Sequence, residues 1–331
     1  TTFRPFLMAK DLFLEVGIDF IFEGNNHDLT WVSQASFCDK WHPYDRMLSR
    51  GQWFLENEVT GDYVLFDGQD SATLMGTYDV FKASKAKKLF KNTLYKDRTL
   101  YQKPSIHGRY YWGEGSSNEV NYSIPDIDFT NIELSGVNWL SGISPNWFVY
   151  NQADKDIDVF ALFSYPAKDN YEFKTMTNPF YDVHRKRCID WLNQLPPNIK
   201  VAKLESGQHL PIEQYYNLMS RSKIMVAPFG YGEIAPRDLE SCMIGAVLIK
   251  PDMGHLDTIP NIYDPMQTYV PCKWDFSDLN EKIDYVLSDY KNLQSFFVEN
   301  MRKRFIQDYN QEKLVLHTHN WLSKLEGFGF E

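Results

Sequence analysis

In the stretch SKIMVAPFGYGEIAPRDLESCMIGAVLIKP, residues 222–251, an apolar run empties into Gly230, Tyr231, Gly232 and Glu233 and then into a segment carrying Pro236, Arg237 and Glu240. Glycines let a backbone approach a bulky anion closely, and the free amides at the start of a helix attract negative charge. Pro236 suits a first helical turn, where an N–H would have no intrahelical partner. Arg237 can neutralise a phosphate. Glu240, one turn further on, can accept hydrogen bonds from the two hydroxyls of a ribose. The chemistry these types and spacings offer is the binding of a nucleoside diphosphate. Taken alone, Gly-Tyr-Gly before a helix is equally a tight turn with a helix cap, so its meaning depends on the elements that position it.

Those elements alternate. Residues 156–166 (DIDVFALFSYP) read as a buried strand, 181–196 (YDVHRKRCIDWLNQLP) as a helix closed by proline, 198–206 (NIKVAKLES) as a strand and 211–222 (PIEQYYNLMSRS) as a helix. The strand, helix and strand of 222–251 follow. Such alternation predicts βαβ units and a doubly wound parallel sheet, in which ligands bind outside the carboxyl ends of the strands. From Asp278 onward the chain reads as almost entirely helical. In the first half, IDFIFEG (18–24) and DYVLFDGQD (62–70) read as strands that end in polar loops. Apolar spacing predicts a helix through 41–58 between them, and another through 77–91, whose lysines would form a solvated face. Gly, Ser, Asn and Pro punctuate 103–150, which predicts loops, short strands and a junction near 144–156, dividing the chain into domains of 1–152 and 153–331.

Composition excludes several classes. A chain of 331 residues that is 43% hydrophobic and 16% aromatic is long enough and apolar enough for two folded domains. Its net charge of −10, with no basic block longer than HRKR, excludes nucleic acid as the main partner, since a duplex-binding surface needs clustered cations. No run approaches the roughly 18 apolar residues of a membrane helix. The expectation is therefore a soluble, cytoplasmic protein, with a trimmed lumenal catalytic domain as the alternative. Cys38, Cys188, Cys242 and Cys272 are widely spaced, which fits neither a zinc site nor a disulfide framework. The triplet NYS at Asn121 has the form of a glycosylation acceptor, a pattern that also arises by chance.

The unit from the apolar strand through Gly230, Tyr231, Gly232, Pro236, Arg237, Glu240 and Gly245 to the strand AVLIKP resembles the nucleotide-sugar-binding segment of GT-B glycosyltransferases, most closely their exostosin-like branch. The similarity covers about residues 156–290. It implies an α/β fold of two Rossmann-like domains facing a central cleft, with C-terminal helices, around 305–328, packing back across the junction. It further implies transfer of a sugar from a nucleoside diphosphate sugar, for example UDP-xylose, to a hydroxyl of a glycan, with no metal cofactor. In that scheme Glu240 holds the ribose and Gly232 lies near the diphosphate. A basic residue after the strand DVFALF, Arg185 or else Lys186, would compensate the departing diphosphate, and His209 with Pro211 would lie beside the base. Many GT-B enzymes carry two glutamates eight positions apart, the first near the donor sugar. Glu233 precedes Glu240 by seven, a departure from that pattern. The base that removes the acceptor proton should come from the N-terminal domain, where the strand ends supply Asp70, Asp67, His27 and Asp28. All four are also ordinary turn residues.

Three rivals stand beside this scheme. DYVLFDGQD is one residue away from the Asp-x-Asp metal site of GT-A glycosyltransferases, in which Asp67 and Asp70 would hold Mn or Mg. A non-catalytic nucleotide- or sugar-binding module would keep the glycine turn and Glu240 without needing a base. An NAD-dependent oxidoreductase would show GxGxxG after a first strand, and neither half does.

Overall fold

A computed structural model describes residues 52–56, 60–112, 121–135, 154–163, 179–204, 208, 210–259 and 261–308. The chain divides into two compact units, one of Thr1–Ser144, Leu256–Asn261 and Gln307–Glu331, the other of Pro145–His255 and Ile262–Ile306. The protein is α/β, and each unit is built on a sheet with parallel strands. The strand expected at 18–24 and most of the helix expected at 305–328 lie outside the described residues.

The second unit follows from its apolar runs. Strands β8 (Ile157–Ala161), β9 (Val201–Lys203), β10 (Ser222–Val226), β11 (Val247–Pro251) and β13 (Val270–Cys272) form an all-parallel sheet in the spatial order β13-β11-β10-β8-β9. Helices α2 (Pro179–Leu192), α3 (Ile212–Ser220) and α4 (Pro236–Ile244) connect successive strands. Helices α5 (Leu279–Ser288) and α6 (Tyr290–Asp308) follow β13. One face of the sheet, with Val159, Ile224, Val226, Val247 and Ile249, is packed with Cys188, Ile189 and Leu192 of α2, Ile283 and Val286 of α5 and Phe297 of α6. On the other face Phe160 meets the ring of Tyr215 from α3 edge-on at 5.3 Å. Gly245 closes α4 at φ 73°, a left-handed conformation in which a side chain would be strained. From β8 the chain steps sideways to β9 and then returns to the opposite side of β8 as β10. The strand order thus reverses between β8 and β10, and their carboxyl ends flank the crevice in which doubly wound sheets take ligands.

The first unit departs from the sequence expectation in two places. Residues 52–56, placed in a helix by their spacing, form strand β1 (Gln52–Glu56), which pairs antiparallel with β2 (Tyr63–Asp67). Trp53 and Phe54 are strand formers, and the free edge of β2 offers them backbone partners that outweigh the weak helical periodicity. The helix expected over 77–91 stops early, as α1 (Thr77–Ser84), because Lys85 turns left-handed at φ 61°. The chain then re-enters the sheet as β3 (Leu89–Lys91), which lies parallel between β2 and β7 (Ile132–Leu134). Burial of Leu89 and Phe90 wins there, and Lys91 is carried into the core with them. The span 103–150 contributes short strands β5 (Ser105–Ile106), β6 (Asn121–Tyr122) and β7 among its described residues. Strand β12 (Leu256–Thr258), from far along the chain, pairs antiparallel with β4 (Thr93–Tyr95) of this unit. Among the described residues no helix is long and apolar enough to cross a membrane.

Candidate active site

Strand β10 ends at Val226 and α4 begins at Pro236, so residues 227–235 form one loop at the carboxyl edge of the sheet. The Gly230 amide donates to the Gly232 carbonyl at 3.0 Å, closing a tight turn that leaves Tyr231 45% exposed at its tip. Phe229, Gly232 and Glu233 on either side are buried. The turn is anchored by α2. The Phe229 amide donates to Nε2 of His184 at 3.2 Å, and Nε of Arg185 donates to the Phe229 carbonyl at 3.3 Å. The His184 ring also stacks on that of Phe229, centroids 5.4 Å apart and planes within 10°. Burial, assisted by the charges of Arg185, Arg187 and Lys250, pushes the His184 pKa down to about 3. The imidazole is therefore neutral at physiological pH, and because Nε2 accepts, the proton sits on Nδ1. Arg185 is itself buried, with its guanidinium 5.7 Å from the ring of Phe163, just past the end of β8. It thus touches the exits of both strands between which the sheet order reverses.

A second set of groups lies behind the loop. Lys250 of β11 and Asp238 of α4 are fully buried and paired at 3.0 Å, from Nζ to Oδ1. The other Asp238 oxygen accepts from the Ala235 amide at 3.0 Å and from the Tyr263 hydroxyl at 2.6 Å. Burial pushes the Lys250 ammonium down, and the Asp238 carboxylate opposes that shift. Glu233, also fully buried, lies 3.8 Å from Nε2 of His255.

Glu240, one turn into α4, is hydrogen-bonded to the Tyr215 phenol of α3, and Tyr215 is also bonded to Arg237. Burial raises the Glu240 pKa above the ordinary glutamate value. The neighbouring Arg237 charge pulls it down, the Asp238 charge adds to the rise, and the Tyr215 bond lowers it. Chemically, this half-buried carboxylate can accept hydrogen bonds from hydroxyls, and Arg185 and Arg237 place positive charge beside the pinned glycine turn.

The fold brings Gly230, Tyr231, Gly232, Glu233, Arg237, Glu240 and Arg185 to this one edge. Lys186 stands apart: it is half-exposed and paired with Asp190 at 2.6 Å along α2. His209, His27 and Asp28 lie outside the described residues. In the first unit, Asp67 ends β2 fully buried, 3.1 Å from the equally buried Nζ of Lys91, and accepts from Thr77 and from the Gln69 amide. Asp70, three residues on, is exposed. His184, Tyr215, Lys250 and Tyr263 were not singled out from sequence. Lys250 carried a signal, being a lysine inside the otherwise apolar strand VLIKP. Tyr263 stands 25 positions from Asp238, and Tyr215 is as distant from Glu240, so no local pattern announces either pair.

No protein-family profile matches the chain, and neither does any curated protein. Among solved structures, a glycosyltransferase from Rickettsia africae is 13% identical with a TM-score of 0.41, the match covering 76% of this chain and 67% of that one. HepE of Anabaena in complex with UDP and glucose is 11% identical with a TM-score of 0.44, over 78% of this chain and 71% of that one. The C-terminal domain of the glycosyl transferase group 1 family protein LpcC from Francisella tularensis is 13% identical with a TM-score of 0.32, over 51% of this chain and the whole of that one. Likeness at this level leaves activity to be derived from the residues of the chain itself.

Proposed function

We propose that the protein is a GT-B type glycosyltransferase that moves a sugar from a nucleoside diphosphate sugar to a hydroxyl of a glycan. The observation that carries this reading is the glycine turn at the exit of β10, beside the reversal of strand order, with Arg185 anchored beneath it and Glu240 on the helix that follows. The donor belongs to the C-terminal part, 153–331. The diphosphate packs against the close backbone of the glycine turn and the start of α4, Arg185 and Arg237 offset its charge, and Glu240 accepts from the ribose hydroxyls. Glu233, Tyr231 and His209 complete the donor side. The acceptor belongs to 1–152. For transfer with inversion, the acceptor oxygen bonds to the anomeric carbon as the bond from that carbon to the diphosphate breaks. The electron pair leaves with the diphosphate, and the acceptor proton passes to a carboxylate.

Asp70, exposed at the end of the β2 loop, is the first choice for that base, with His27 and Asp28 next. Asp67 is held against Lys91, which fits an anchor for the loop better than a base. The same ion pair argues against a divalent cation on Asp67 and Asp70, because the Lys91 ammonium already occupies the charge that a metal would neutralise. The proposed chemistry is accordingly metal-independent, with a uridine nucleotide as donor and the exostosin-like branch as the nearest kin. A thermal-shift panel of nucleoside diphosphates and their sugars, run in EDTA and again with Mn, tests the reading, since a ligand that binds only the native state raises its stability. Stabilisation in EDTA followed by slow release of the nucleoside diphosphate from its sugar is expected. Stabilisation only with Mn would return the site to Asp67 and Asp70, and binding without release of diphosphate would make the protein a binding module.

A further inference from the structure

We propose that Lys250 and Asp238 are positioning residues, a buried staple that holds both ends of the glycine loop in its ligand-receiving form. Lys250 stands in β11, hydrogen-bonded to β10 in the sheet, directly behind the loop. Its Nζ lies 3.5 Å from the carbonyl of Ala227, where the loop departs from β10. Asp238 accepts from the amide of Ala235, where the loop enters α4. The 3.0 Å pair between them therefore joins the first and last residues of 227–235 through two side chains, neither exposed to solvent. Two residues into the loop Phe229 lies with its ring centroid 5.3 Å from the same Nζ, so the ammonium meets the loop a second time before the glycine turn.

Buried ion pairs are seldom the best route to stability, since apolar residues of the same volume do as well or better. What this pair supplies is one conformation. A nine-residue connection with two glycines has many backbone states, and a backbone shaped for a diphosphate needs a single one. The inference rests on the reading of this loop as the diphosphate site, yet the staple is measurable without any ligand.

The test uses the full chain and two variants, Lys250→Met and the double variant Lys250→Met with Asp238→Asn. The double variant removes both charges of the pair together, so neither Lys250 nor Asp238 is left buried without the other, and the carboxamide that replaces the Asp238 carboxylate keeps an oxygen for the Ala235 amide. Amide hydrogen exchange is followed over 227–235 and over β8 and β10, and affinities for uridine and for UDP are measured. In the double variant, exchange across the loop is expected to accelerate at least tenfold with β8 and β10 unchanged, while UDP affinity falls at least tenfold and uridine affinity holds. Loop exchange that stays at the wild-type rate, or that rises equally throughout the sheet, would overturn the staple and leave the pair a general contributor to stability. Equal losses for uridine and UDP would overturn it as well. If the wild-type protein binds no UDP, the donor reading falls, and hydrogen exchange still decides the staple.

Discussion

The Phe229 amide donates to Nε2 of His184 at 3.2 Å while the two rings stack, so one buried histidine holds both the backbone and the side chain at the root of the glycine turn. That bond exists only with a neutral imidazole. With the pKa lowered from 6.5 to about 3 in the fold, the unfolded chain binds a proton below pH 6.5 that the native state refuses, and stability falls with falling pH between those values. From pH 7 to pH 5 this one group removes roughly 2 kcal/mol. Urea titrations of the wild type and of His184→Gln at both pH values measure it. The variant should lack that share of the loss, and an identical pH dependence in both proteins would refute the assignment.

Glu240 shifts in the other direction. Burial raises its pKa, so its carboxylate is lost on acidification at a higher pH than an ordinary glutamate. Donor affinity, which needs the charged form, should decline as pH falls through that raised value. Glu240→Gln should weaken donor binding by about 1–3 kcal/mol at neutral pH and remove this acidic limb. Calorimetry at several pH values decides the point, and a variant with wild-type affinity ends the ribose role.

Arg185 and Lys186 are neighbours in sequence with opposite surroundings. Arg185→Met should reduce donor affinity at least tenfold, about 1.4 kcal/mol, because it removes both the buried charge and the tether to Phe229. Lys186→Ala breaks only an exposed pair on one helix face, worth about 0.3–0.5 kcal/mol, and should leave donor binding as it was. Equal losses in the two variants would mean that net charge on α2 matters and anchoring does not.

Asp67 and Asp70 separate in the same manner. Asp67→Asn strands the buried Lys91 ammonium and should cost about 3–5 kcal/mol of stability, read as a lowered urea midpoint. Asp70→Asn should leave stability and donor affinity unchanged while turnover collapses. Full turnover in Asp70→Asn would pass the role of base to His27 or Asp28.

The second unit was legible in the sequence because its central strands β8, β10 and β11 are largely buried and read as apolar runs, such as DVFALF and KIMVAP, separated by helices of ordinary length. Gly230, Gly232, Pro236 and Glu240 were legible because each answers a local requirement of turn, helix start or spacing. The short strand β13 escaped notice, since three residues, one of them Pro271, make no run. In the first unit QWFLE and KKLFK misled: over so few residues helical and strand periodicity look alike, and the outcome is set by which neighbouring edge is free. Lys91 and Lys250 are the sharpest cases. Lys91 reads as part of a solvated helix face and Lys250 as a lone lysine in an apolar strand, and each is fully buried because an aspartate from another element meets it in space.

Lys155, just before β8, donates to the carbonyls of Ser220 and Ile244 at 2.6 Å each, the last residues of α3 and α4. The earlier turns of these two nine-residue helices carry Tyr215 on one and Arg237 with Glu240 on the other. One ammonium thus makes the final residues of the helices a common pivot, with arms of about 6–8 Å out to Tyr215 and Glu240. Neither helix can slide along the other without breaking a charge-assisted bond, so the meeting of Tyr215 with Glu240 is held in register from the far ends of both helices. A lysine at the far ends of two helices thus sets the register in which side chains on their earlier turns meet.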